Sequence, residues 1–219
     1  MDLLVEEVES NANSEGIRAY EEWVATRDRI LRRGKAPTST ARTVTQIAAT
    51  AARTAHAQVR IERTDVQRDR RPGGARFGAL VHTILAEVSL AADAGDVRAI
   101  ASSLGRVVGA TEDETRAAVE AVCAALDHPL LKCAGEAATL GECRRELPVT
   151  MRMEDGSLAE GVVDLAFRDK GGDPHWVVVD FKTDAELDTD GRYAVQVGLY
   201  VRAIADLTGE RAEGVLLSV

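Results

Sequence analysis

Asp164, Asp180 and Lys182 are the residues whose types and spacing could do chemistry. The run WVVVDFK (176–182) reaches Asp180 through continuously apolar residues, the pattern of a central, buried strand. A charge in such a place is costly unless it is paired or metal-bound. Side chains at i and i+2 share one face of a strand, so Asp180 and Lys182 project together and Phe181 points the other way. Asp164 interrupts a neighbouring apolar run, EGVVDLAFR (160–168), between Val163 and Leu165. Two carboxylates in close approach repel, and one tends to protonate. A hard divalent cation removes that conflict, and Mg²⁺ favours one or two carboxylates plus waters and substrate phosphate. A lysine alongside can stabilise charge developing at phosphorus or help to activate water. That is chemistry for metal-assisted phosphodiester hydrolysis. The same spacing also serves a surface hairpin with ordinary ion pairs.

The elements that must position these residues are legible in outline. Residues 143–152 (CRRELPVTMR) predict a first strand, 160–168 a second and 176–182 a third. The link DKGGDPH is rich in turn formers, so 160–182 reads as a hairpin. Tyr193, Val197, Tyr200, Val201 and Ile204 repeat at helical spacing, and GVLLSV gives a fourth short strand. Upstream, Phe77, Leu80, Val81, Ile84, Leu85 and Val88 mark an amphipathic helix. Val97–Leu104 and Glu112–Leu126 read as two more, with Thr111 and Glu114 set for a capping box. A helix between the third and fourth strands lets them lie parallel while the hairpin is antiparallel. The fold class is therefore α/β, a mixed sheet flanked by helices.

The N-terminal part has a different texture. Residues 1–35 read as helical, with Tyr20, Trp23, Val24, Ile30 and Leu31 at helix-like spacings, and Gly34 and Pro37 stop the pattern. Ser39 or Thr40 is the expected cap of a short helix through Ile47 and Ala52. Residues 60–75 (RIERTDVQRDRRPGGA) lack an apolar period and read as a mobile linker. The expected division is thus a helical and basic segment over 1–75 and a domain over 76–219. The last strand carries no polar tail, which suggests a truncated C-terminus.

Composition adds limits. The 219 residues carry a net charge of −9, against a chain that simply coats nucleic acid. Yet residues 27–76 hold 13 Lys/Arg and 4 Asp/Glu, so a basic segment adjoins an acidic domain. It reads either as a phosphate contact or as a solvated linker. Cys123, Cys133 and Cys143 suit neither a disulfide framework nor a zinc knuckle and read as reduced thiols. No apolar run is long enough for a membrane span, and the acidic MDLLVEEVES start lacks the basic region of a secretory signal. A cytoplasmic location is the default expectation. No G-x-x-x-x-G-K-[ST] loop is present, so the chain has no ATP site of its own.

GVVDLAF, VVVDFKTD and YAVQVGLYVRAI, in this order, resemble the nuclease signature of the PD-(D/E)XK superfamily. In particular they are similar to the RecB-type nuclease of UvrD-like helicase–nucleases, the RecB and AddA subunits. The helix FGALVHTILAE resembles the family's G-x-x-x-H helix, with Gly78 and His82 at the matching places. More loosely, residues 17–52 look like the segment joining helicase to nuclease in AddA-like proteins. The resemblance implies a restriction-endonuclease-like fold and a Mg²⁺- or Mn²⁺-dependent DNase acting on DNA ends, with a UvrD-like helicase as partner. It implies His82, Asp164, Asp180 and the backbone carbonyl of Phe181 as metal ligands, with Lys182 beside the scissile phosphate. Phe181 stands where the family often has tyrosine, a change the carbonyl role survives.

Gln196 and Tyr200, four apart on one helix face, take a DNA-contact or supporting role by the same resemblance. For Tyr200 the alternative is plain core packing. Thr183 and Asp184 complete the K-T-D run without assigned chemistry. Glu146, on the first strand, either supports the metal site or pairs with Arg144 or Arg145, the favoured reading. Two other functions compete: a non-catalytic DNA-binding or docking module of the same fold, and a stand-alone restriction or repair endonuclease.

Overall fold

Val177, Val178 and Val179 lie in the third strand of the hairpin region, and their alternation sets the two layers of the molecule. Val177 and Val179 face one helical layer and Val178 the other. The computed structural model describes residues 3–35, 40–50, 59–66, 71–183 and 191–219. They fall into two compact units, 1–40 and 41–219.

The first unit is one long helix, α1 (Leu3–Lys35). Tyr20 and Trp23 stack on its surface with ring centroids 6.0 Å apart, and the Arg27 guanidinium lies over the Trp23 ring. Arg32, Arg33 and Lys35 in the last turn complement the helix dipole.

The second unit is a six-stranded mixed sheet with helices on both faces. In chain order it runs β1 (Ala41–Thr43), α2 (Val44–Thr50), β2 (Val59–Arg63), α3 (Ala75–Glu87), α4 (Ala94–Val108), α5 (Glu112–Asp127), α6 (Pro129–Thr139), β3 (Cys143–Arg152), β4 (Leu158–Asp169), β5 (His175–Lys182), α7 (Arg192–Thr208) and β6 (Ala212–Ser218). The main path is β1-β4-β5-β6-β2, with β3 also paired to β4. β4 and β5 form the expected antiparallel hairpin, and β5 and β6 run parallel through α7. α3 to α6 bury Phe77, Leu80, Ile84 and Leu131 against Leu165, Phe167, Val179 and Leu217. α2 and α7 bury Val44, Ile47, Tyr200 and Ile204 against Val163, Ala166 and Val178 on the other face.

Several sequence expectations need correction. The stretch read as a mobile linker contributes β2, an edge strand paired parallel to β6 from Val59↔Gly214 to Arg63↔Ser218. Just beyond, Arg71 donates to the carbonyls of Val219 and Thr183, at 2.8 and 2.7 Å, and so joins the ends of the sheet. The second compact unit starts at Ala41. The cap of α2 is Thr43, whose hydroxyl accepts from the Gln46 N–H while the Gln46 side chain accepts from the Thr43 N–H. Thr40 lies one strand too early, and Ser39 and Ala52 lie outside the described residues. α6 was not anticipated; His128 caps it and Pro129 occupies its first turn. The Thr111–Glu114 capping box on α5 forms as expected.

Candidate active site

Asp164 sits where the strand pattern breaks. The β3–β4 ladder pairs Arg145 with Leu165 and Leu147 with Val163, and skips Glu146 opposite Asp164. Glu146 has φ 46°, a left-handed conformation unusual for a side chain with a Cβ. Val163 packs on the α2–α7 face, whereas Leu165 packs on the α3–α6 face. In a regular strand two such residues would share one face. β4 therefore turns over at Asp164, which frees this carboxylate from either layer. The β4–β5 ladder ends at Leu165↔Val179, one step short of Asp164 and Asp180. In place of a ladder bond, the Phe181 N–H donates to Asp164 Oδ2 at 2.9 Å.

Four sequence-predicted residues meet at this strand end. His82, on α3, approaches Asp164 Oδ2 with Nδ1 at 3.5 Å, and its ring stands edge-on to Phe181 at 6.2 Å. Burial disfavours charge on the His82 ring, but the hydrogen bond and charge of Asp164, aided by Asp180, outweigh it and raise its pKa. Asp180 is 2% exposed. Burial first, and the Asp164 charge second, push its carboxyl up to about 6, against the pull of Lys182 and His82. The Lys182 ammonium lies 2.5 Å from Asp180 Oδ2. That oxygen is nonetheless without a hydrogen-bond partner, so the contact is ionic and poorly aligned. Gln196, from α7, donates to Asp180 Oδ1 at 3.1 Å.

Tyr200 is nearly fully buried in the α2–α7 core, so the packing role is met. Burial raises the pKa of its hydroxyl, which lies near the Gln196 side chain and the Val162 backbone. It lies one helical turn from Gln196, which donates to Asp180. Phe181 buries its ring under α3 and turns its backbone toward Asp164. Thr183 lies against α3, where a Cβ on Gly78 would come 3.1 Å from its hydroxyl. Asp184 lies outside the described residues.

α3 is fixed at both ends. Arg145 from β3 donates to the carbonyls of Leu85 and Val88, and Arg76 pairs with Glu114 of α5 at 2.9 Å. Arg144 donates to the Gly141 and Cys143 carbonyls. Neither arginine is seen paired with Glu146, contrary to the favoured sequence reading. Glu146 instead senses the site: burial and the Asp164 charge raise its pKa, and His82 opposes. Sequence reasoning also missed Tyr193, over whose ring the Lys182 ammonium lies at 4.6 Å. Only its place three residues before Gln196 hinted at this, since helical residues three apart are neighbours.

The donor set of one imidazole, two carboxylates and a backbone carbonyl has the chemistry of a divalent-cation site. Among the described residues, no three His, Cys, Asp or Glu side chains are gathered closely enough to hold an ion as they stand. Asp164 faces the Phe181 N–H and His82, while Asp180 is turned to Lys182 and Gln196. Asp180 Oδ2, buried and held by the ionic contact with Lys182 alone, is the oxygen a cation could take.

The PD-(D/E)XK nuclease superfamily model matches residues 43–219, and the chain belongs to this superfamily. Its members are generally dependent on divalent metal. No curated protein compared with the chain matches it. Among the described residues, no helix is long and apolar enough to cross a membrane.

Proposed function

We propose that this protein is a Mg²⁺- or Mn²⁺-dependent deoxyribonuclease that hydrolyses phosphodiester bonds from DNA ends, as part of a RecB/AddA-like helicase–nuclease system. The observation that carries the reading is the meeting of His82, Asp164, Asp180 and Lys182 at the end of β5. His82, Asp164, Asp180 and the Phe181 carbonyl would hold the cation, which when bound supplies Lewis-acid stabilisation of the phosphate oxygens. Asp164 ties the Phe181 backbone in place and so orients the carbonyl beside it. Gln196, backed by Tyr200, fixes one oxygen of Asp180 and leaves the other toward Lys182. Lys182 places a positive charge beside the scissile phosphate, where negative charge grows in the transition state. No phosphate-binding loop for ATP occurs in the sequence, so DNA unwinding falls to a UvrD-like helicase domain or subunit.

Cleavage of linear single-stranded, linear duplex and closed circular DNA, with and without Mg²⁺, tests this reading. It predicts metal-dependent loss of linear DNA and survival of the circle. Nicking of the circle would instead support an endonuclease. Binding without cleavage across a metal series would support a docking module.

A further inference from the structure

Among the described residues, the Lys182 ammonium has neighbours of two kinds. On one side is the Asp180 carboxylate at 2.5 Å, and on the other the face of Tyr193 at 4.6 Å from the ring centroid. Tyr193 is in the first turn of α7, so the helix that fixes Asp180 through Gln196 also brings this ring to the lysine. Arg192 lies over the same ring at 4.9 Å. We propose that Tyr193 is a positioning residue, whose ring face holds the Lys182 ammonium in its working place beside the phosphate.

A lysine ends in a compact charge on a flexible four-carbon stem, so its position must be set by what surrounds it. Asp180 alone sets it poorly, because a cation would take the same carboxylate oxygens. The ring attracts an ammonium through its quadrupole without offering an oxygen to a metal. It therefore keeps a hold on the lysine when a cation engages Asp180. The phenol hydroxyl has no part in this, so phenylalanine is an adequate substitute and leucine is not.

The inference rests on the nuclease reading for its consequence, but not for its geometry. The chain has four lysines, Lys35, Lys132, Lys170 and Lys182, so side-chain NMR of lysine-labelled protein gives a short set of signals. Lys182→Arg assigns the one of interest. The expected Lys182 Cε–H signal is ring-shifted in the wild type and in Tyr193→Phe, and moves toward the other lysines in Tyr193→Leu. In steady-state DNA cleavage, Tyr193→Leu is expected to lower kcat about 5- to 30-fold at little-changed KM, while Tyr193→Phe stays within about 3-fold of wild type. An unshifted wild-type Lys182 signal would overturn the inference whether or not the leucine variant folds. So would a Tyr193→Leu effect on KM alone, which would make the ring a DNA contact. If the wild type cleaves no DNA, the nuclease reading fails while the NMR arm still decides the contact.

Discussion

Gly161 lies directly beneath the ring of Tyr200: a Cβ there would stand 2.7 Å from Cε1 and 2.9 Å from the hydroxyl. The glycine of the G-V-V-D run and the tyrosine of the Q-x-x-x-Y run are thus two halves of one contact. Through Tyr200, Gln196 and Asp180 the contact reaches the candidate metal site. Gly161→Ala would push against this buried ring and against Val44, 3.1 Å from the same Cβ. Overpacking of this kind costs about 1–3 kcal/mol. Thermal unfolding should therefore show a lower Tm, with cleavage activity falling further than the stability loss explains. A variant with wild-type Tm and activity would break the link between the two motifs.

Gln196→Leu removes the donor that fixes Asp180 Oδ1. Loss of a partner that orients a metal ligand typically weakens metal affinity about 10- to 100-fold. Titration of the protein with Mn²⁺, followed by calorimetry, should show a change of that size with the fold intact by circular dichroism. Unchanged affinity would remove Gln196 from the site.

The pH dependence of the metal-free protein has a definite sign. Asp180 titrates near 6 in the folded chain, above its ordinary value of 3.8. The folded state therefore binds its proton more tightly than the unfolded state does. This stabilisation is complete below about pH 4 and is lost as pH rises through 6, to the extent of roughly 2–3 kcal/mol. The raised His82 pKa acts in the same direction, its contribution lost as pH rises through its folded value above 6.5. Asp180→Asn should flatten the lower window, as measured by Tm against pH without metal. Added Mg²⁺ should reverse the trend, because a cation favours the ionised carboxylate. A metal-free Tm that rises from pH 4 to 7 through this site would contradict the assignment.

Much of this arrangement was legible in the sequence. The short apolar runs of β3 to β6 and the helical period of α7 pointed to the mixed sheet, and the parallel pairing of β5 and β6 followed from the helix between them. β2 was hidden because VRIER is short, charged and paired with a strand more than 150 residues away, so nothing local marks it. α6 was hidden because His128-Pro129 resembles a break, although proline is favoured in a first helical turn. The placing of Asp164 near the Asp180 end of β5 could be expected from hairpin register, but the turnover of β4 at Asp164 could not. It depends on Glu146 in a left-handed conformation on another strand. Tyr193 escaped notice because its contact with Lys182 crosses from a strand end to a helix start.

The proposed reaction is phosphodiester hydrolysis by Asp180 and Lys182 with a divalent cation. It is tested most directly by cleavage of end-labelled linear DNA by the wild type, Asp180→Ala and Lys182→Ala, with Mg²⁺ and with EDTA. Cleavage is expected of the wild type in Mg²⁺ alone. Both variants should lose it by at least about 100-fold, the size usual for removing a transition-state stabilising group, while remaining folded by circular dichroism. Wild-type cleavage that survives EDTA, or cleavage that persists in both variants, would contradict it.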